Sequence, residues 1–68
     1  MELITVQAKD IQLHDILGEG QEVWAKVTNK PPVGQVTVYF GDHTLGNADF
    51  SKFQVFNSHD ELINVIRR

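Results

Sequence analysis

The side chains able to do chemistry are few in this 68-residue chain, and their spacing limits what they can do. There is no cysteine, so the three histidines, His14, His43 and His59, are the strongest metal donors. No two stand four residues apart, as a helical zinc site requires, and none form the close pair of a hairpin site. They read as turn histidines in solvent, and neither a metal nor another cofactor is expected. Hydrolysis would need a nucleophile, a base and a group that orients the base. Ser51 and Ser58 have no nucleophile elbow around them, and the acid pairs Glu19/Glu22 and Asp60/Glu61 read as solvated or capping carboxylates. The chain also lacks a phosphate-cradling glycine loop and a dinucleotide fingerprint. The expectation is a protein without catalytic activity.

Aromatic residues carry more information than titratable ones. In "EVWAKVT" (22–28), Val23, Ala25 and Val27 form one parity and Trp24, Lys26 and Thr28 the other. In "QVTVYFG" (35–41), Val36, Val38 and Phe40 share a parity. Both runs alternate as half-buried strands do. A hairpin joining them pairs 27 with 36, 25 with 38 and 23 with 40, which sets Trp24 opposite Tyr39 on the outer face. Exposed aromatics of this kind anchor protein interfaces or stack on bases. The candidate partner-binding residues are therefore Trp24 and Tyr39, Lys26 beside them, and Lys30, Pro31 and Pro32 in the intervening "NKPPVG" loop.

The remaining elements must position that face. "LITVQA" (3–8) predicts a first strand with Ile4, Val6 and Ala8 inward. "KDIQLHDIL" predicts an irregular arm with one tight turn near Gln12–Asp15, and "GEGQ" (18–21) a glycine turn. "ADFSKFQVF" (48–56) puts Phe50 on one parity and Phe53 and Val55 on the other, so a bulge or helical turn at Ser51–Lys52 is expected to return them to one side. The tail "NSHDELINVIRR" carries Ser58 three residues before Glu61, the spacing of a capping box. Asp60 and Glu61 stand near its start and Arg67 and Arg68 near its end, as a helix dipole favours. It predicts a short helix over about 58–67 whose apolar residues Leu62, Val65 and Ile66 cover the Trp24/Tyr39 face, with a closing strand as the alternative.

At this length the chain forms a single domain over residues 1–68 and buries only about 60 % of its unfolded surface. It must therefore lean on a compact core, a second copy or a partner. Its formal charge is −3, and the six basic residues are scattered, which disfavours nucleic acid without removing it. No apolar run is long enough for a membrane helix. "MELITVQ" lacks the basic and apolar regions of a signal peptide, so a cytoplasmic location is expected.

The stretch "VQAKDIQLHDILGEGQEVWAKV" (6–27) resembles the opening of Src-homology-3-like small β-barrels, V-x-A-x-D-[LI]-x-x-G-D-x-[LI] followed by a glycine turn and a strand. Val6, Ala8, Asp10, Ile11, Asp15 and Leu17 match it, and His14 stands where the pattern has glycine. The pattern is similar to that of KOW-like and elongation-factor-P-like translation domains, hedgehog/intein domains, and small actinobacterial and phage proteins. The resemblance covers roughly residues 4–56 and implies a mainly β protein, a five-stranded barrel followed by the C-terminal helix. It transfers no catalytic residue: the intein nucleophile is missing, and the residues flanking Lys30 do not match a modified translation-factor lysine. The function expected is a small protein-interaction module, of the kind a phage encodes to bind a host or structural protein in the host cytoplasm. The alternatives are a nucleic-acid-binding barrel, in which Lys26, Lys30, Lys52, Arg67 and Arg68 would cluster, and a homo-oligomeric structural protein.

Overall fold

The computed structural model describes residues 1–30, 32–42, 44 and 46–68, with the side chains of Glu19 and Asp42 outside the description. The expectations for Pro31 and His43 therefore lie outside the described residues. The β-branched alternation of the first residues forms strand β1, Glu2–Gln7, which runs into a single 3-10 turn, Ala8–Asp10. A two-residue strand β2, Ile16–Leu17, and a second 3-10 turn, Gly18–Gly20, lead to β3, Gln21–Thr28. Then come β4, Val36–Asp42, β5, Asn47–Phe56, and β6, Leu62–Arg67. Among the described residues there is no α-helix.

All six strands join one antiparallel sheet in the order β1-β6-β2-β3-β4-β5. The core gathers Val36, Val38 and Phe40 of β4 with Val23, Phe56 and Val65, and Ala8, Ile11 and Leu17 supply the arm's share. Ile4, Val6 and Ile63 pack against this cluster, so the inward parity expected for β1 holds. The tight turn of the arm is present as well: the Asp15 amide donates to the Gln12 carbonyl at 3.2 Å.

Three expectations need correction. The sheet is not closed, so among the described residues there is no barrel: β1 and β5 are its two edges, and the described strands number six rather than five. The tail is a strand rather than a helix over 58–67. β6 pairs with β1 over six consecutive residues, from Glu2 with Arg67 to Gln7 with Leu62, and Ile16 pairs with Ile66 on its other side. Ser58 and Glu61 form a turn instead of a capping box: the Ser58 hydroxyl accepts from the Asp60 amide, and the Glu61 amide donates to the Ser58 carbonyl. The physical reason is the β-branched content of Ile63, Val65 and Ile66, which suits a strand flanked on both sides.

The third correction concerns the hairpin register. Val23 pairs with Phe40 as expected, but the next pair is Ala25 with Tyr39, then Lys26 with Val38 and Thr28 with Val36. Trp24 is the extra residue of a bulge, and one extra residue reverses the parity beyond it. Ala25 and Val27 consequently lie on the outer side with Tyr39, and Lys26 lies on the side of Val38.

Candidate functional site

The outer face of β3, β4 and β5 is built row by row from the register. Ala25, Tyr39 and Phe53 form one row, and Val27, Thr37 and Val55 the next. Alternation sends all of them away from the buried Val36, Val38 and Phe40. The expected break in β5 is present. Phe40 pairs with Asp49 and Tyr39 with Phe53, so Phe50, Ser51 and Lys52 are bulged out of register. Asp49 braces the bulge by accepting from both the Ser51 hydroxyl and the Ser51 amide, the latter at 3.0 Å. Those bonds, the hydroxyl first, hold the Asp49 carboxyl below its ordinary pKa.

The bulge brings Phe50 back to the side of Phe53. Phe50 meets the Tyr39 ring edge-on at 5.0 Å between centroids, and Phe53 meets it tilted at 6.0 Å. These contacts leave much of both rings in solvent, 68 % of Phe50 and 56 % of Phe53. Val27 and Val55 extend the exposed apolar surface along the next row. Two such phenylalanines expose roughly 200 Å² of ring, and the tyrosine and valines bring the patch to on the order of 300–400 Å². A patch of that size on a small monomer is often functional.

The residues singled out in the sequence divide between several places. Tyr39 is at the centre of the patch. Trp24 is not its cross-strand partner, which is Ala25: the indole lies over Gly41, where an added Cβ would overlap it, and meets His14 edge-on at 5.8 Å. Lys26 reaches the other way, and its Nζ donates to the carbonyls of Lys9 and Ile11 at 2.8 Å each. That ammonium ties the arm to β3. Lys30 and Pro32 are exposed in the loop beyond the Val27 row, where the Asn29 amide donates to the Gln35 carbonyl and His59 Nε2 contacts the Asn29 carbonyl at 2.7 Å. Pro31 lies outside the described residues. Phe50 and Phe53 are the members that the sequence reading left out of the site. Their shared side was readable from the bulge, but their contact with Tyr39 depends on the long-range pairing of β4 with β5.

A second constellation surrounds the elbow at His14. His14 has φ +74°, the conformation that glycine adopts freely. Its Nδ1 lies 2.9 Å from the carboxylate of buried Glu22, which also accepts from Arg68. Asp15, 2 % exposed, accepts from Arg67 Nε at 3.0 Å and Nη2 at 2.8 Å, and from the Gln12 amide at 2.9 Å. Burial pushes the Asp15 carboxyl up. The Arg67 hydrogen bonds, the Gln12 amide and the positive charges of Arg67 and Lys26 outweigh it and hold the pKa below the usual aspartate value. Arg67 and Arg68, which the sequence assigned to a helix end, thus answer the two buried carboxylates. The chemistry of this cluster is neutralisation: each acid is paired, and the pairs fasten β6 to the elbow. Among the described residues no three His, Cys, Asp or Glu side chains are grouped to hold a metal ion.

No family model, curated protein or solved structure matches the chain.

Proposed function

We propose that this chain is a non-catalytic protein-interaction module that docks a protein partner on the Tyr39–Phe50–Phe53 face. The observation that carries the reading is the exposure of two phenylalanines, 68 % and 56 %, held by a bulge against one tyrosine. Leaving such rings in water costs free energy, and an interface recovers it. The face has the composition of a binding hot spot, a rigid aromatic centre continued along the next row by Val27, Thr37 and Val55. The resemblance of residues 6–17 to the opening of Src-homology-3-like proteins belongs to the same proposal, with the open sheet as a departure from a closed barrel. The nucleic-acid alternative has less support. Lys26 is bonded to backbone carbonyls, and Arg67 and Arg68 to carboxylates, so these cations do not form a stripe.

The test is affinity capture followed by titration of the captured partner with the purified chain. Phe50→Ser and Phe53→Ser should each weaken binding by about ten-fold or more, the loss of a hot-spot side chain. Leu62→Ser, an exposed position on β6 at the other end of the sheet, should bind like the parent. Unchanged affinity in the Phe50→Ser/Phe53→Ser double variant, with its circular dichroism intact, would reject the face.

A further inference from the structure

We propose that two copies of this chain associate edge to edge through β1, running antiparallel, to form one continuous sheet. The sheet has two free edges, and they differ in kind. β5 is blunted: three of its residues leave the ladder between Asp49 and Phe53, and one of these is Lys52. A bulge and an edge lysine are devices that keep strands from pairing further. β1 has neither. Its six residues, ELITVQ, pair with β6 without a register shift, and they include no proline, glycine or lysine. A straight edge rich in β-branched residues is the kind that recruits another strand.

The outer side of β1 adds apolar surface to that edge. Leu3 is 72 % exposed and borders a groove of about 230 Å³ lined also by Ile16, Leu17 and Ile66. The groove and the strand edge are continuous, so one partner covers both.

The charge pattern selects a second copy as that partner. Glu2 is the only charged residue of β1 and stands at its end. Antiparallel pairing centred on Ile4 sets Glu2 opposite the partner's Val6, so no like charges face one another. Any register in which paired residue numbers have an even sum keeps both copies' Leu3 and Thr5 on one face. Ile4 against the partner's Ile4 is such a register, and it sets Leu3 beside the partner's Thr5. A six-residue ladder with its two grooves covers roughly 1,000 Å² in total, below the range of permanent dimers. The dimer is consequently reversible and depends on concentration.

Sedimentation velocity from low-micromolar to near-millimolar concentration tests this, paired with amide exchange on the unmodified protein. The expected result is a monomer–dimer equilibrium with β1 amides better protected in the concentrated sample. Leu3→Lys and Thr5→Lys should weaken association at least ten-fold, and Gln54→Lys on the opposite edge should leave it unchanged. A monomeric mass throughout would overturn the proposal. So would a dimer that survives both β1 substitutions, one that Gln54→Lys abolishes, or β1 protection that ignores concentration.

Discussion

Asp15→Asn probes the fastening of β6 to the elbow with almost no change of shape. The native carboxylate is 2 % exposed and accepts three hydrogen bonds, two of them from Arg67. Bonds to charged groups contribute about 1.5–3 kcal/mol, and the amide keeps part of that by accepting one of them. The Arg67 side chain is about a quarter exposed, so water offsets some of the loss and the lower half of the range applies. A loss of about 1.5–2 kcal/mol is large for a chain of this length, whose whole stability is of order 3–10 kcal/mol. At about 4–8 °C per kcal/mol, Tm should fall by roughly 10 °C at neutral pH. The pH dependence fixes the cause. Because the folded-state pKa of Asp15 is lowered, its contribution is complete above the unfolded value of about 3.9 and is lost as pH falls through the folded value. The wild type and Asp15→Asn should therefore differ most at neutral pH and converge in acid. Thermal melts followed by circular dichroism at several pH values measure this. A gap that is absent at neutral pH, or one that stays constant into acid, would refute the account of Asp15 as a charged partner.

Gly41→Ala should destabilise by about 1–3 kcal/mol, because its Cβ overlaps the Trp24 indole, and a denaturant titration followed by Trp24 emission reads the loss. The same substitution in a Trp24→Leu background should cost less, which a double-mutant cycle would show as a non-zero coupling. His14→Val should lower stability by about 1–2 kcal/mol, since a β-branched residue resists φ +74°, whereas His14→Gly should be near neutral in urea melts. Lys26→Met should cost about 1.5–3 kcal/mol through the two carbonyl bonds it removes, and amide exchange should locate the loosening in the arm at residues 9–13.

Local pattern was a good guide wherever neighbours along one strand decide the outcome. The existence of strand β3, the alternation of β4, the glycine turn and the break in β5 are each written in a few adjacent residues. The parity of Phe50 against Phe53 and Val55 was enough to demand the bulge. The bulge at Trp24 had no comparable sign, because "EVWAKVT" alternates cleanly without it. It follows from Trp24 settling over Gly41 of the neighbouring strand, a contact visible only in three dimensions. The tail misled for the opposite reason. Ser58, Glu61 and the terminal arginines compose a good local helix signal, but β1 and β2 offer β6 a ladder on both sides. Tertiary pairing outweighs a local preference of this size. The aromatic face was half legible: Tyr39 was identified, while its contacts Phe50 and Phe53 required the β4–β5 register.

The pairing of β1 with β6 also bears on how the fold is reached. These are the first and last elements in sequence, and their ladder joins Glu2 to Arg67. Closing so long a loop costs roughly 1.5 kcal/mol more than closing a ten-residue one, and contacts of this range place a domain among the slower folders. β6 also lies between β1 and β2, so half the sheet has no template until residue 67 has been synthesised. The β3–β4–β5 hairpins can assemble early, and β1 must wait with Ile4 and Val6 uncovered. The same adjacency means that Glu2 and Arg67 stand side by side on neighbouring strands of the sheet. That geometry would let the whole unit be spliced into a surface loop of another protein without pulling the loop apart.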